Sequence, residues 1–155
     1  MTKIAVVTGK FDLLHAGHVD HIKKAAQLGD WLIIITHEDS IVALSSDKKF
    51  CAVPLWARVD ILQGLIELYK LGNGEVIIAV DTNGESTETL RLIRQKYAEV
   101  PIVLVKGGSR TDATQMPTKE VAICRELDIE IQYGVGDLLS ASSTLAKKII
   151  ENNRD

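Results

Sequence analysis

Ile4-Ala5-Val6-Val7-Thr8-Gly9-Lys10-Phe11-Asp12-Leu13-Leu14-His15-Ala16-Gly17-His18, followed by a segment that places Val19, Ile22 and Ala26 on one stripe, is the stretch that decides the fold. A continuous apolar run of four residues suits a strand buried on both faces of a parallel sheet, and the stripe over 17–28 has helical spacing. Between them lies a loop with two glycines and two histidines. Strand, polar loop and helix in that order form the first half of a βαβ unit, so the rest of the chain should repeat it.

It does. Runs at Trp31–Ile35, Val76–Val80, Ile102–Val105 and Ile129–Ile131 alternate with helical patterns over 54–69, 86–97, 117–127 and 142–152. In the first of these helices Val59, Leu62, Ile66 and Tyr69 share a face. Gly29-Asp30 and Gly72-Asn73-Gly74 close helices, Pro101 stands at a strand entrance, and Pro117 fits a first helical position. The expected fold is α/β: one Rossmann-like, doubly wound parallel sheet of about five strands with helices on both faces, connected by right-handed crossovers and filling residues 1–155 as one domain. Ligands of such sheets lie beyond the carboxyl ends of the strands, where the strand order reverses. That directs attention to 8–18, 36–49, 81–86, 106–117 and 134–144.

Bulk properties narrow the function classes. The chain has 155 residues, 18 basic against 21 acidic side chains and a formal charge of -3, with 46% hydrophobic residues. A generally basic nucleic-acid-binding module, an acidic tail and a disordered chain are excluded. Cys51 and Cys124 match no zinc or redox spacing, and no apolar run is long enough to span a bilayer. The expectation is a cytoplasmic protein with free thiols and neither nucleic acid nor membrane as partner. Gly134-Val135-Gly136 lacks the third glycine of a dinucleotide fingerprint, and Thr8-Gly9-Lys10 lacks the spacing of a P-loop.

The first loop carries the chemistry. A helix N-terminus presents unpaired N–H groups and about half a positive charge, which favours an anion, and imidazoles there can donate to phosphate oxygens. Gly9 lets the chain turn, and Gly17 permits close approach of a ligand. The plain alternative is that the histidines only cap the helix or face water. Zinc at His15, His18 and His21 ranks below that, because His15 should precede the helix and no Cys or carboxylate completes a familiar set. His21 is expected to be solvated, and His37 receives no role.

The segment Gly9, Phe11-Asp12, His15-Ala16-Gly17-His18 resembles the signature of the nucleotidyltransferase superfamily that includes glycerol-3-phosphate cytidylyltransferase and the adenylyltransferase of the ADP-heptose pathway. Further stretches resemble that family in sequence order, over residues 3 to about 150. Asp39 follows the second strand. Lys49, with Lys48 competing, precedes the long helix, and Arg58 stands in its first turns. Lys106-Gly107-Gly108-Ser109-Arg110 is similar to a Lys-Gly-Gly-Asp loop with Ser109 as the departure, and Ser142, Ser143 and Thr144 resemble the family's Ser/Thr-rich phosphate turn.

The resemblance implies transfer of CMP or AMP from CTP or ATP to a small phosphorylated acceptor, a polyol or sugar phosphate, with pyrophosphate released. It implies His15 and His18 on the α- and β-phosphates, Lys49 or Lys48 on the leaving pyrophosphate, and Arg58 on phosphate or in loop support. Thr8, Gly9, Lys10, Phe11, Gly17, Gly107 and Gly108 would contact the nucleotide. Ser142, Ser143 and Thr144 would contact its β- and γ-phosphates, and Asp12, Asp39, Ser109 and Arg110 the acceptor. Mg²⁺ would travel with the triphosphate without a protein cage, and the chain would form a homodimer. The competing class is a non-catalytic nucleotide-binding or regulatory domain that keeps the phosphate site.

Overall fold

A computed structural model describes residues 1–108, 110–137 and 150–153. Five parallel strands, β1 (Ile4–Thr8), β2 (Trp31–Thr36), β3 (Gly74–Ile78), β4 (Ile102–Val105) and β5 (Glu130–Gln132), form one sheet in the order β3-β2-β1-β4-β5. The order reverses between β1 and β4. Five α-helices with both ends among the described residues accompany the strands: α1 (Ala16–Ala25), α2 (Asp39–Ser45), α3 (Leu55–Lys70), α4 (Thr87–Lys96) and α5 (Thr118–Glu126).

The uninterrupted apolar runs explain the layering. Successive side chains of a strand point to opposite faces, so a strand apolar at every position feeds two cores at once. Ile4, Val6, Ile33, Ile35, Ile102 and Leu104 bury one face against Leu90 and Ile93 of α4 and Ile123 of α5. Ala5, Val7, Leu32, Ile34, Val103 and Val105 bury the other against Ile22 of α1 and Leu62 and Ile66 of α3. A fully buried Ile, Leu or Val contributes about 1.5–3 kcal/mol before entropy is charged against it. The expected class, a doubly wound Rossmann-like sheet with helices on both faces, is what forms.

Three local expectations need correction. The third strand begins at Gly74 rather than Val76, because Gly74 pairs with Leu32 and a Cβ there would stand 2.3 Å from the Leu32 carbonyl oxygen. It is also an edge strand, only half-buried, although its apolar run resembles the central ones. Pro117 caps α5 from outside rather than occupying its first turn. In addition, the segment 36–49, where no helix was expected, holds α2, a seven-residue helix with one buried residue, Val42. Of the helix expected over 142–152, only its last three positions lie among the described residues, and these are helical.

Candidate active site

A cavity of about 440 Å³ opens at the carboxyl end of the sheet. Thr8 and Lys106 line it from the ends of β1 and β4, the two strands between which the order reverses. The first loop supplies Gly9, Lys10, Phe11 and Asp12, and α1 supplies His18. The segment before α3 adds Lys48, and the loop after β4 adds Arg110. Sheet topology thus brings together residues separated by a hundred positions.

The histidine pair has an unusual local cause. His15 is the N-cap of α1, in the extended conformation that an N-cap adopts, and its Nδ1 accepts from the Gly17 N–H at 3.1 Å. Three residues on, His18 Nδ1 accepts from the His15 N–H at 3.3 Å, which closes a capping box. Imidazoles fill the places normally taken by Ser or Thr and by Glu. Because both Nδ1 atoms act as acceptors, the ring proton of each neutral histidine is assigned to Nε2. Capping uses only the Nδ1 atoms and so does not compete with the anion binding expected of these rings. The rings lie 3.8 Å apart, and the edge of Phe11 meets His18 at 5.5 Å. Burial, with smaller contributions from His15 and His21, pushes His18 down to about 4, and burial also lowers His15. Both rings are neutral donors at pH 7.

Phe11 explains Gly9. A Cβ on Gly9 would stand 2.9 Å from the Phe11 ring, so the glycine makes room for a side chain as well as for a turn. Phe11 and Leu13 both hold left-handed backbone, with φ of 54° and 56°, conformations that cost a non-glycine residue energy and that cluster at ligand loops.

Beneath this loop Arg58 is completely buried. Its Nη1 donates to Lys10 O and to Thr36 Oγ1, both at 2.9 Å, and its Nε donates to Val53 O at 2.8 Å. Nη2 pairs with Asp39 Oδ1 at 2.7 Å. These bonds bind the first loop, the end of β2, α2 and the start of α3 into one unit. Of the two roles expected for Arg58, phosphate contact or loop support, this geometry corresponds to loop support. Asp39 is its ion-pair partner and lies outside the cavity lining.

Asp12 makes the second tie. Its carboxylate accepts from the Ala52 and Val53 N–H groups, at 2.7 Å for the shortest bond, and pairs with Lys48 Nζ at 2.5 Å. Burial works to raise this carboxyl, but those bonds outweigh it and hold it below its ordinary value. Lys10 lines the cavity and donates to Ser45 O at 2.7 Å, and its pKa is lowered, chiefly by burial. Lys48 lines the cavity, whereas Lys49 is exposed, has a left-handed φ of 60° and is not part of the lining.

His15, Gly17, Gly107 and Gly108 likewise are not part of the cavity lining. Arg110 closes the turn after β4 by donating its N–H to Gly107 O at 3.0 Å. Ser109, Ser142, Ser143 and Thr144 lie outside the described residues. His21 corrects an expectation: instead of facing water it is half-buried, and its Nδ1–H donates to Val135 O at 2.7 Å, joining α1 to the chain after β5. Burial lowers its pKa as well.

Sequence reading missed several lining residues, among them Lys106, Glu120 and His37. Lys106 and Glu120 form a buried ion pair, and Lys106 Nζ also donates to Thr8 Oγ1 at 3.2 Å. His37 is 3% exposed and lines the cavity, and its Nδ1 lacks a partner among the described residues. Burial lowers its pKa too. A polar residue immediately past a buried strand is the signal that marked Lys106 and His37. Nothing comparable marked Glu120, which reaches the cavity from a helix.

A helix N-terminus capped by two imidazoles, beside a lysine-lined cavity at the reversal point of a doubly wound sheet, is the kind of place where Rossmann-like folds take anionic ligands. The cytidylyltransferase-like family matches residues 6–130, and the chain belongs to that family. Among relatives, the bifunctional protein HldE of Vibrio parahaemolyticus is 34% identical over 143 residues, covering 90% of this chain and 27% of the relative. The chain spans about a fifth to a quarter of the length of the curated relatives it matches. Two solved structures share the fold. The lipopolysaccharide core biosynthesis protein of Thermoplasma volcanium has a TM-score of 0.57 at 22% identity, covering 86% of this chain and 93% of that one. A bifunctional NMN adenylyltransferase/ADP ribose pyrophosphatase of Francisella tularensis, complexed with AMP and a manganese ion, has a TM-score of 0.62 at 18% identity, covering 99% and 42%. No helix among the described residues is long and apolar enough to cross a membrane.

Proposed function

We propose that the protein transfers AMP or CMP from the nucleoside triphosphate to a small phosphorylated acceptor, a sugar or polyol phosphate, and releases pyrophosphate. The observation that carries this reading is the capping box of His15 and His18, which turns both Nδ1 atoms to backbone N–H groups and assigns the ring protons to Nε2 at a helix N-terminus, beside a cavity lined by Lys10, Lys48 and Lys106. The HldE relative and the neighbour complexed with AMP favour AMP over CMP.

An acceptor phosphate oxygen attacks the α-phosphorus, a P–O bond forms, and the bond from the α-phosphorus to the bridging oxygen breaks as pyrophosphate leaves. The attacking oxygen is already anionic, so the site needs positioning and charge stabilisation rather than a base. His18 and His15 donate to the phosphates as charge moves onto them. Lys48, released from Asp12, meets the leaving group. Arg58 acts at a distance by fixing the loop that carries these groups. Mg²⁺ accompanying the triphosphate would neutralise phosphate charge without needing a cage of protein ligands, as is usual for that ion. The carboxylate nearest the histidine loop, Asp12, is already engaged by two amides and Lys48.

We further infer a homodimer from the family resemblance and a cytoplasmic location from the cysteine spacing; sedimentation of the purified chain tests the dimer. The activity is tested by pyrophosphate release from ATP and from CTP, each with a panel of sugar and polyol phosphates. Turnover with one nucleotide and one acceptor class supports it. Nucleotide binding with no turnover across the panel would make this a non-catalytic nucleotide-binding domain instead.

A further inference from the structure

Glu120 stands in the first turn of α5, is 7% exposed and lines the cavity. Its partner among the described residues is Lys106, also 7% exposed. Removing a carboxylate and an ammonium from water is expensive, and an apolar pair of similar volume is often as stable or more so. Stability alone gives little reason to place this pair in a cavity wall.

Comparison with Asp12, the other buried carboxylate of the lining, shows what distinguishes Glu120. Asp12 is used up: it takes two backbone N–H groups and Lys48. Glu120 accepts from no backbone N–H among the described residues, and Lys106 occupies only part of a group with two oxygens and about four lone-pair directions. The remaining capacity belongs to a cavity in which Lys10, Lys48, Lys106 and Arg110 attract anions, with Glu85 the further acidic lining residue besides Asp12. A carboxylate in such a place repels a second anionic group and welcomes a hydroxyl, which can donate to it. A buried acceptor left without its donor also disfavours analogues that lack the hydroxyl.

We propose that Glu120, held in place by Lys106, is a specificity-determining residue that reads a hydroxyl of the acceptor beside its phosphate. This rests on the function proposed above and sharpens it. The acceptor class becomes a polyhydroxylated monophosphate, and simple alkyl phosphates and compounds with an added carboxylate are disfavoured.

Titration calorimetry with the full chain tests this, using mannose 1-phosphate and glycerol 3-phosphate against n-propyl phosphate as the hydroxyl-free control, and ATP with Mg²⁺ as the nucleotide control. Wild type should bind at least one hydroxyl-bearing probe tenfold or more tightly than propyl phosphate. Glu120→Gln should lose most of that preference, with ATP and propyl phosphate affinity within about threefold of wild type. The pair Lys106→Met with Glu120→Leu, which keeps the wall filled, should lose the preference too, so a folding failure in one variant leaves the other to decide. Unchanged preference in the variants, no preference in wild type, or equal loss for every probe including ATP would each overturn the assignment. Binding and turnover separate the two proposals. Hydroxyl preference that depends on Glu120 without any pyrophosphate release sinks the catalytic reading alone, and turnover with unaltered preference sinks the role of Glu120 alone.

Discussion

Arg58 and Arg94 occupy opposite ends of the sheet, and each spends its guanidinium inside the protein. Arg94 donates to the carbonyls of Tyr97, Ala98, Val100, Leu127 and Asp128, and so fastens the corner where α4 and α5 return to the sheet. It borders a cavity of about 510 Å³ at the amino ends of β4 and β5, slightly larger than the one at the carboxyl end. Arg58 lies completely buried beneath the smaller cavity and ties four segments that carry lining residues or their supports. Volume does not separate the two ends; chemistry does. The amino-end cavity is walled by a structural joint, whereas the carboxyl-end cavity gathers His18, His37, Lys10, Lys48 and the Lys106–Glu120 pair at the reversal of strand order.

Substitution of the two arginines is the strongest way to break that contrast. Arg58→Ala leaves a cavity and strands the Lys10 and Val53 carbonyls and Thr36 Oγ1, and should cost about 3–5 kcal/mol in urea-unfolding stability, at roughly 1–3 kcal/mol for each buried acceptor left without its donor. Arg94→Ala exposes carbonyls that water can reach, and should cost about 1–2 kcal/mol with nucleotide affinity unchanged. Equal losses from both would erase the distinction drawn between the two ends.

Within the site, His18→Ala should lower kcat by about 10²–10³, the size associated with one donor to developing charge. Steady-state turnover near wild type would remove His18 from the phosphate site. A smaller effect separates the neighbouring lysines: Lys48→Ala should reduce kcat by about tenfold or more, while Lys49→Ala stays within about twofold, since only Lys48 lines the cavity. The reverse order, measured in the same assay, would restore Lys49 as the acting residue.

The gentlest test is pH. His18 titrates at about 4 when folded, below its ordinary 6.5, so between those values the unfolded chain binds more protons than the folded one. Stability from this group is flat above pH 6.5, falls as pH drops towards 4 and levels off below. His15, His21 and His37 shift in the same direction through burial. The urea midpoint should therefore decline between pH 6.5 and 5, before most carboxylates titrate, and more shallowly in His18→Ala. A flat midpoint across that window contradicts the burial of these rings.

How much of this was legible in the sequence depended on the range of the interaction. β1, β2 and β4 could be read because each is apolar at every position, and the histidine loop because its turn, cap and helix are consecutive. β3 was misplaced by two residues because its start is set by the close approach of Gly74 to Leu32 on another strand. α2 has a single buried residue and no stripe to detect. Arg58 was visible by position, but its partners are scattered from Lys10 to Val53 and were not. Glu120 looks like any surface glutamate of an amphipathic helix until the chain closes around Lys106.

The lysines of the cavity are already engaged before any ligand arrives: Lys10 with the Ser45 carbonyl, Lys48 with Asp12, Lys106 with Thr8 and Glu120. A phosphate entering this place exchanges partners instead of adding to a vacant positive field. Affinity then measures the difference between two sets of oxygens, and added salt, which weakens both sets, should alter it less steeply than the number of lining cations suggests.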